Sequence, residues 1–92
     1  MKTKEVAERF ADGKTGVGNS VFSTGDKFFS YSTCLAQWVD DNIDEFIILN
    51  ETKYSVTSSR HYGVMRSELP SCIRRKIVKD VPRGTNDLKH YL

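Results

Sequence analysis

Apolar residues recur along this chain in several patterns, and each pattern predicts a different kind of element. Near the N-terminus four apolar residues share one stripe at helical spacing: Val6, Ala7, Phe10 and Ala11. This spacing predicts a short amphipathic helix over residues 3–12. A helix of that length is too short to be stable alone, so its stripe must pack on another element.

Between residues 20 and 50 the apolar pattern changes to short runs bounded by turn-forming residues. These runs predict four strands, over residues 20–23, 27–33, 34–39 and 45–50. The last of them contains Phe46-Ile47-Ile48-Leu49, which is apolar on both faces and suits a central strand covered on both sides. Short connections favour antiparallel pairing, because parallel pairing needs a long crossover.

After residue 58 the apolar spacing becomes helical again and predicts a helix over residues 58–69, ended by Pro70. The pattern beyond Pro70 is ambiguous. Ile73, Ile77 and Val81 keep a spacing of four, which favours a helical turn, whereas residues 76–81 also fit an edge strand. Residues 82–86 are predicted to form a loop, and residues 87–92 either a last helical turn or a frayed end.

These elements predict an α+β fold in one domain spanning residues 1–92. We expect a three- to four-stranded antiparallel meander, with the N-terminal helix and the helix after the last strand packed on one face. A basic segment, residues 70–92, follows. The composition is 38% hydrophobic and 28% charged, which is typical of globular proteins and excludes disorder of the whole chain.

The stretch Tyr54-Ser55-Val56-Thr57-Ser58-Ser59-Arg60-His61 lies where the last strand gives way to this helix. The hydroxyls of Ser55, Thr57 and Ser58 are good caps for a helix start. Arg60 and His61 would then lie in the first turn, where the helix dipole favours anions. Two interpretations stay open: a well-capped helix, and a small anion or phosphate site.

This stretch also carries a resemblance. The chain resembles a small domain that recurs in tailed-bacteriophage genomes and whose closing motif is Tyr-Ser-x-Thr-[Thr/Ser]-x-His. The matching segments lie between Gly18 and His61, a span of about half of the chain: Gly18-Asn19, Ser30-Tyr31-Ser32-Thr33, Leu35-Ala36, Leu49-Asn50 and Tyr54 to His61, where one residue more than in the motif precedes the histidine. The resemblance implies a phage origin and an α+β fold but no reaction, and it does not extend to the basic residues after the motif.

Charge is distributed unevenly, although the net charge is only +2. Residues 1–50 carry five Lys/Arg against eight Asp/Glu, and residues 51–92 carry nine against four. Seven cations fall within 24 residues: Arg60, Arg66, Arg74, Arg75, Lys76, Lys79 and Arg83. Such a cluster is typical of phosphate-backbone contacts, and Tyr54, Tyr62 and Tyr91 are candidates for base stacking. The pI of 8.6 is low for a nucleic-acid-binding domain.

Catalytic and metal-binding constellations are not evident. Cys34, His61, Cys72 and His90 lie far apart, with no pair at zinc-ligand spacing. The acidic residues between 40 and 45 do not match a calcium loop, and the Gly-rich connector 13–19 lacks the following helix that a phosphate loop requires. We expect no metal, no cofactor and no enzymatic activity. Cys34 and Cys72 are predicted to be free thiols, with Cys34 buried in a strand.

No apolar stretch is long enough to span a bilayer, so we expect no membrane contact and a location in the cytoplasm, that of the host if the chain is phage-encoded. The favoured hypothesis is a small non-catalytic phage-type protein that binds a host protein as an inhibitor or anti-defence adaptor. The alternative is DNA or RNA binding through the basic segment. The predicted anion- or partner-binding residues are Arg60, His61, Arg66, Arg74, Arg75, Lys76 and Lys79.

Overall fold

The computed structural model describes residues 1–92 and confirms the α+β class. In chain order the elements are α1 Thr3–Ala11, β1 Thr15–Val17, β2 Val21–Thr24, β3 Lys27–Ser30, β4 Thr33–Asp40, β5 Glu45–Asn50, α2 Val56–Ser67 and β6 Arg74–Val78, with a short 3-10 turn at Lys89–Tyr91. No helix is both long and apolar enough to cross a membrane.

The six strands form one sheet in chain order, antiparallel from β1 to β5 and parallel between β5 and β6. The prediction of three or four strands is therefore too low: the antiparallel pairing expected of them is found from β2 to β5, and β1 and the parallel strand β6 are additional. Strand β1 is only three residues long, too short to produce a periodic pattern in the Gly-rich connector. The parallel strand β6 is possible because α2 provides the long crossover that parallel pairing requires.

Strand boundaries also differ from the predicted ones at the second hairpin. The predicted strands 27–33 and 34–39 met without a turn, whereas the turn lies at Tyr31 and Ser32. Tyr31 adopts a left-handed backbone with φ of 55°. Such a conformation is uncommon for a bulky residue, and alternation of side chains along the sequence gives no sign of it.

Two apolar layers cover the two faces of the sheet. On one face α1 and α2 pack over a cluster that includes Phe10, Leu35, Ile47, Leu49 and Met65. On the other face a second cluster is formed by Phe29, Cys34, Phe46, Ile48, Val78, Val81 and Leu88. The prediction that β5 is apolar on both faces is confirmed, since all four residues of its apolar run are buried.

The C-terminal segment of the chain runs across the second face of the sheet and covers it. The backbone N–H of Gly84 donates to Thr33 Oγ1 at 2.9 Å, and the N–H of Cys34 donates to the Thr85 carbonyl at 2.8 Å. The N–H of Leu88 donates to Gln37 Oε1 at 2.8 Å. These hydrogen bonds hold the C-terminal segment against the sheet, and the segment ends in the short 3-10 turn.

Helix α2 begins two residues before the predicted start at 58. Its N-cap is Ser55, whose Oγ accepts a hydrogen bond from the N–H of Ser58 at 3.1 Å. Thr57 is an exposed helical residue, and Ser58 points inward, so neither is the cap. Arg60 and His61 consequently lie in the second turn of α2, and their predicted place in the first turn is wrong.

Replacing Ser55 with alanine is expected to lower the free energy of unfolding by about 1 kcal/mol, because one helix N–H loses its acceptor. The matched control is Thr57→Ala, which removes an exposed hydroxyl two residues away and should change stability by less than about 0.5 kcal/mol. Urea denaturation of both variants measures the difference. Equal midpoints for the two variants would contradict the assignment of Ser55 as the cap.

Candidate functional site

Ser30, Ser58 and His61 meet at one end of the sheet, where α2 begins. The Ser30 hydroxyl is hydrogen-bonded to His61 Nδ1 at 2.7 Å and to the Ser58 hydroxyl at 3.1 Å. All three residues are buried, and the ring of Tyr31 lies 6.0 Å from that of His61. His61, predicted to bind an anion or a partner, instead faces the protein interior and joins α2 to the end of β3.

A serine hydroxyl beside an imidazole is the arrangement of an activated nucleophile. Burial lowers the pKa of His61 below its ordinary value of 6.5, so the ring is neutral near pH 7. However, Ser30 is only 1% exposed, and no carboxylate is hydrogen-bonded to the His61 ring. A hydroxyl that a substrate cannot reach is not positioned for attack, so we assign the pair to structure.

The lowered pKa of His61 makes stability depend on pH in a defined direction. The unfolded chain takes up the proton near pH 6.5 and the native state only at lower pH, so stability should fall as pH decreases through 6.5 and level off below the native pKa. A His61→Gln variant is expected to lose this part of the pH dependence. An exposed-site control, His90→Gln, should keep it.

Denaturation midpoints measured from pH 7.5 to about pH 5 compare the two variants with the wild type. If His61→Gln retains the wild-type slope over this range, His61 does not titrate with a depressed pKa in the native state.

Two of the three tyrosines predicted to stack on bases, Tyr54 and Tyr62, are engaged within the protein, whereas Tyr91 is exposed near the end of the chain. The Tyr54 hydroxyl donates to the Val81 carbonyl at 2.5 Å and accepts from Asn50 Nδ2 at 2.9 Å. The Tyr62 hydroxyl donates to Glu51 Oε2 at 2.8 Å, and burial followed by this hydrogen bond raises the Tyr62 pKa. Both rings are half-buried, so each tyrosine is held in place by contacts within the protein.

A cleft of about 170 Å³ opens above the buried serines, beside the first turn of α2. Its walls carry several hydroxyl groups, and Arg83 at its rim donates to the Tyr54 carbonyl at 2.7 Å. Every buried side-chain nitrogen and oxygen already has a hydrogen-bond partner. The buried hydroxyls of Ser30 and Ser58 are therefore satisfied within the protein, as expected of a structural junction.

The largest cavity, about 540 Å³, lies elsewhere, between the end of α1 and the loop before β6. It is an open depression beside the half-buried Trp38, whose indole N–H donates to the Phe10 carbonyl at 2.9 Å. No group of three potential metal ligands occurs there or elsewhere in the chain.

Of the seven clustered cations, Arg66 and Arg74 form ion pairs with carboxylates. Cations without such a pair are called open cations. Arg66 lies 3.9 Å from Glu51, and Arg74 lies 3.5 Å from Asp41 and 3.4 Å from Asp44. Backbone N–H groups of the acidic loop, and then Arg74, hold the pKa of Asp41 below its ordinary range. These exposed pairs add little stability, but they reduce the positive charge available to a ligand.

The open cations are grouped around β6. Lys76 lies 4.6 Å above the Phe46 ring, and Arg75 donates to the Pro70 carbonyl at 3.2 Å. Lys79 follows the strand and is exposed, and Arg60 is exposed on α2. Ile77, for which the sequence left both a helical turn and an edge strand open, lies on a strand and is 52% exposed between these cations. We call the set Arg75, Lys76, Ile77 and Lys79 the basic edge.

Strand β6 lies at the margin of the sheet, and its hydrogen-bonding pattern shows which backbone groups are free. The Val78 carbonyl accepts from the N–H of Glu51 at 3.0 Å, so Val78 faces β5. Because successive residues of a strand face opposite sides, Lys76 also faces β5, whereas the N–H and C=O groups of Arg75 and Ile77 face outward. The outward groups have no partner strand.

At the opposite margin of the sheet, formed by β1, one outward backbone carbonyl is already hydrogen-bonded. The N-terminal ammonium group of Met1 donates to the Val17 carbonyl at 3.2 Å, and the Gly16 position is packed against Met1 and Arg9. The two margins of the sheet therefore differ. The β6 margin is five residues long and groups several open cations around the exposed Ile77, whereas the β1 margin is three residues long and the carbonyl of its exposed Val17 is held by Met1.

Both cysteines are free, and the prediction that Cys34 is buried in a strand is confirmed. Burial raises the pKa of the Cys34 thiol to about 12, so it stays protonated and unreactive at neutral pH. Cys72 is exposed in the loop before β6.

Comparison with known proteins adds no relative: no family model, curated protein or solved structure matches this chain. The functional interpretation therefore depends on the geometry and charge of the basic edge.

Proposed function

We propose that this chain is a small non-catalytic phage-type protein that binds and modulates a host protein, as an inhibitor or anti-defence adaptor in the host cytoplasm. The phage assignment is supported by the resemblance of the motif that ends at His61. The binding function is supported by one observation above all, the basic edge on an unpaired strand. Its cations would steer the protein towards an acidic patch on the partner.

A second candidate function is nucleic-acid binding. The exposed cations Arg60, Lys76 and Lys79 favour it, because open cations neutralise phosphates. The engaged hydroxyls and half-buried rings of Tyr54 and Tyr62 count against it, since two of the three predicted stacking residues are held within the protein.

The test compares a charge reversal on the basic edge with a matched reversal elsewhere. The test variant is Lys76→Glu/Lys79→Glu, and the control is Lys4→Glu/Lys14→Glu, which changes the net charge equally at exposed positions outside β6. Tagged proteins are used to capture partners from nuclease-treated bacterial lysate. Anisotropy titrations with labelled DNA and RNA are run at about 50 mM and about 200 mM salt.

A protein captured by the wild type and the control, but not by the Lys76/Lys79 variant, would support the proposal. Nucleic-acid binding that weakens steeply with salt and is lost only in the Lys76/Lys79 variant would replace it with the second function. Equal capture by both variants would overturn the role of the basic edge.

A further inference from the structure

We propose that the free edge of β6 binds an acidic, extended segment of the partner, which adds to the sheet as a seventh strand. This inference rests on the proposed function, since it requires a protein partner. Addition of a strand to an exposed edge is a recurring mode of peptide recognition, in which main-chain hydrogen bonds supply affinity and side chains supply specificity.

The backbone of β6 is arranged for this mode. Arg75 and Ile77 present two N–H and two C=O groups along the free edge, about 6–7 Å apart at strand spacing. The strand is fixed in place from the other side, because β5 pairs with it over its whole length. No proline occurs within β6, and no strand of the sheet pairs with its outer side.

The side chains around these groups define the chemistry of the segment. Arg75 and Ile77 lie on the face that carries the helices, since they pair in register with Ile47 and Leu49. Lys76 lies on the opposite face, beside Phe46. A strand that fits this edge places an apolar side chain beside Ile77 and carboxylates beside Arg75 and Lys76, because cross-strand pairs of these types stabilise a sheet.

A second copy of this chain is a poor occupant of the same edge. Antiparallel pairing of two β6 strands would bring the cations of one copy close to those of the other, and like charges opposite each other destabilise a sheet. Lysine on an edge strand is also a common protection against self-association. The same charges that repel a second copy attract an acidic segment, so the edge is selective.

The test uses a labelled peptide of about eight residues with the repeat Glu-Glu-Glu-Val, a length typical of strands. As a strand it has glutamates on one face, beside Lys76, and alternating glutamate and valine on the other, beside Arg75 and Ile77. Its control is the same peptide with alternate backbone nitrogens methylated, which keeps the charge but removes the strand-forming donors. On the protein side, Ile77→Pro removes one outward N–H, a position where an edge strand tolerates proline. Ile77→Thr keeps this N–H and is the matched variant.

We expect the unmodified peptide to bind the wild type and Ile77→Thr, and to slow hydrogen exchange at the Arg75 and Ile77 amides of the wild type. Methylation of the peptide, or Ile77→Pro in a protein whose spectrum remains folded, should weaken binding by about tenfold, the effect of losing one or two hydrogen bonds. Equal binding of both peptides would overturn strand addition and show attraction by charge alone.

Failure of this inference is distinguishable from failure of the proposed function. If Ile77→Pro still captures the lysate partner as well as Ile77→Thr does, a protein partner is retained and strand addition is overturned. If sedimentation shows that the wild type dimerises and that Ile77→Pro abolishes the dimer, the edge is occupied by a second copy, and the inference is likewise overturned.

Discussion

Replacing Leu88 with alanine is expected to lower the free energy of unfolding by about 2–5 kcal/mol, as for other fully buried leucines. Leu88 is 0% exposed and packs in the apolar cluster that covers the second face of the sheet. Its backbone N–H is also held by Gln37, so the site cannot readily collapse around the missing side chain. Urea denaturation followed by circular dichroism measures the loss.

The control for this variant is Tyr91→Ala, three residues further along the same segment. Tyr91 is 38% exposed, and its replacement should cost less than about 1 kcal/mol. If Leu88→Ala is no more destabilising than Tyr91→Ala, the C-terminal segment does not cover the sheet in solution.

Replacing Asn50 with alanine is expected to lower the free energy of unfolding by about 2–3 kcal/mol, because buried polar groups lose their partners. Asn50 Nδ2 donates to the Cys34 carbonyl at 3.0 Å and to the Tyr54 hydroxyl at 2.9 Å. Its Oδ1 accepts from the N–H of Thr52 at 3.0 Å. One side chain therefore joins the end of β5 to β4 and to the segment before α2.

An exposed asparagine provides the control. Asn86→Ala lies in the C-terminal loop and removes no side-chain hydrogen bond, so it should change stability by less than about 0.5 kcal/mol. Comparable midpoints for the two variants would show that the Asn50 amide is replaced by water without cost.

The central part of the fold was predictable because its apolar pattern is long and consistent. The run from Phe46 to Leu49 identified a strand covered on both faces, and the stripe of Val6 and Phe10 identified α1. Strand β6 was not predictable to the same degree. Ile73, Ile77 and Val81 keep a helical spacing by coincidence: Ile77 is half-exposed on a strand, whereas Val81 packs on the other face of the sheet.

Of the candidate site, only the positive charge could be predicted from the sequence. The sequence indicates Arg75, Lys76 and Lys79 by their charge. No sequence pattern shows that Arg74 is neutralised by the acidic loop between β4 and β5. The buried contact of His61 with Ser30 joins residues 31 positions apart, and no spacing or periodicity in the sequence indicates it. Ile77 was missed because its exposure depends on β6 being an edge strand.

Both proposals depend on the parallel, open edge of β6, and amide hydrogen exchange followed by NMR tests it most directly. We expect slow exchange at Lys76 and Val78, whose N–H groups face β5, and fast exchange at Arg75 and Ile77, whose N–H groups face solvent. Similar protection at all four amides, or slow exchange at Arg75 and Ile77 in the free protein, would contradict the open edge.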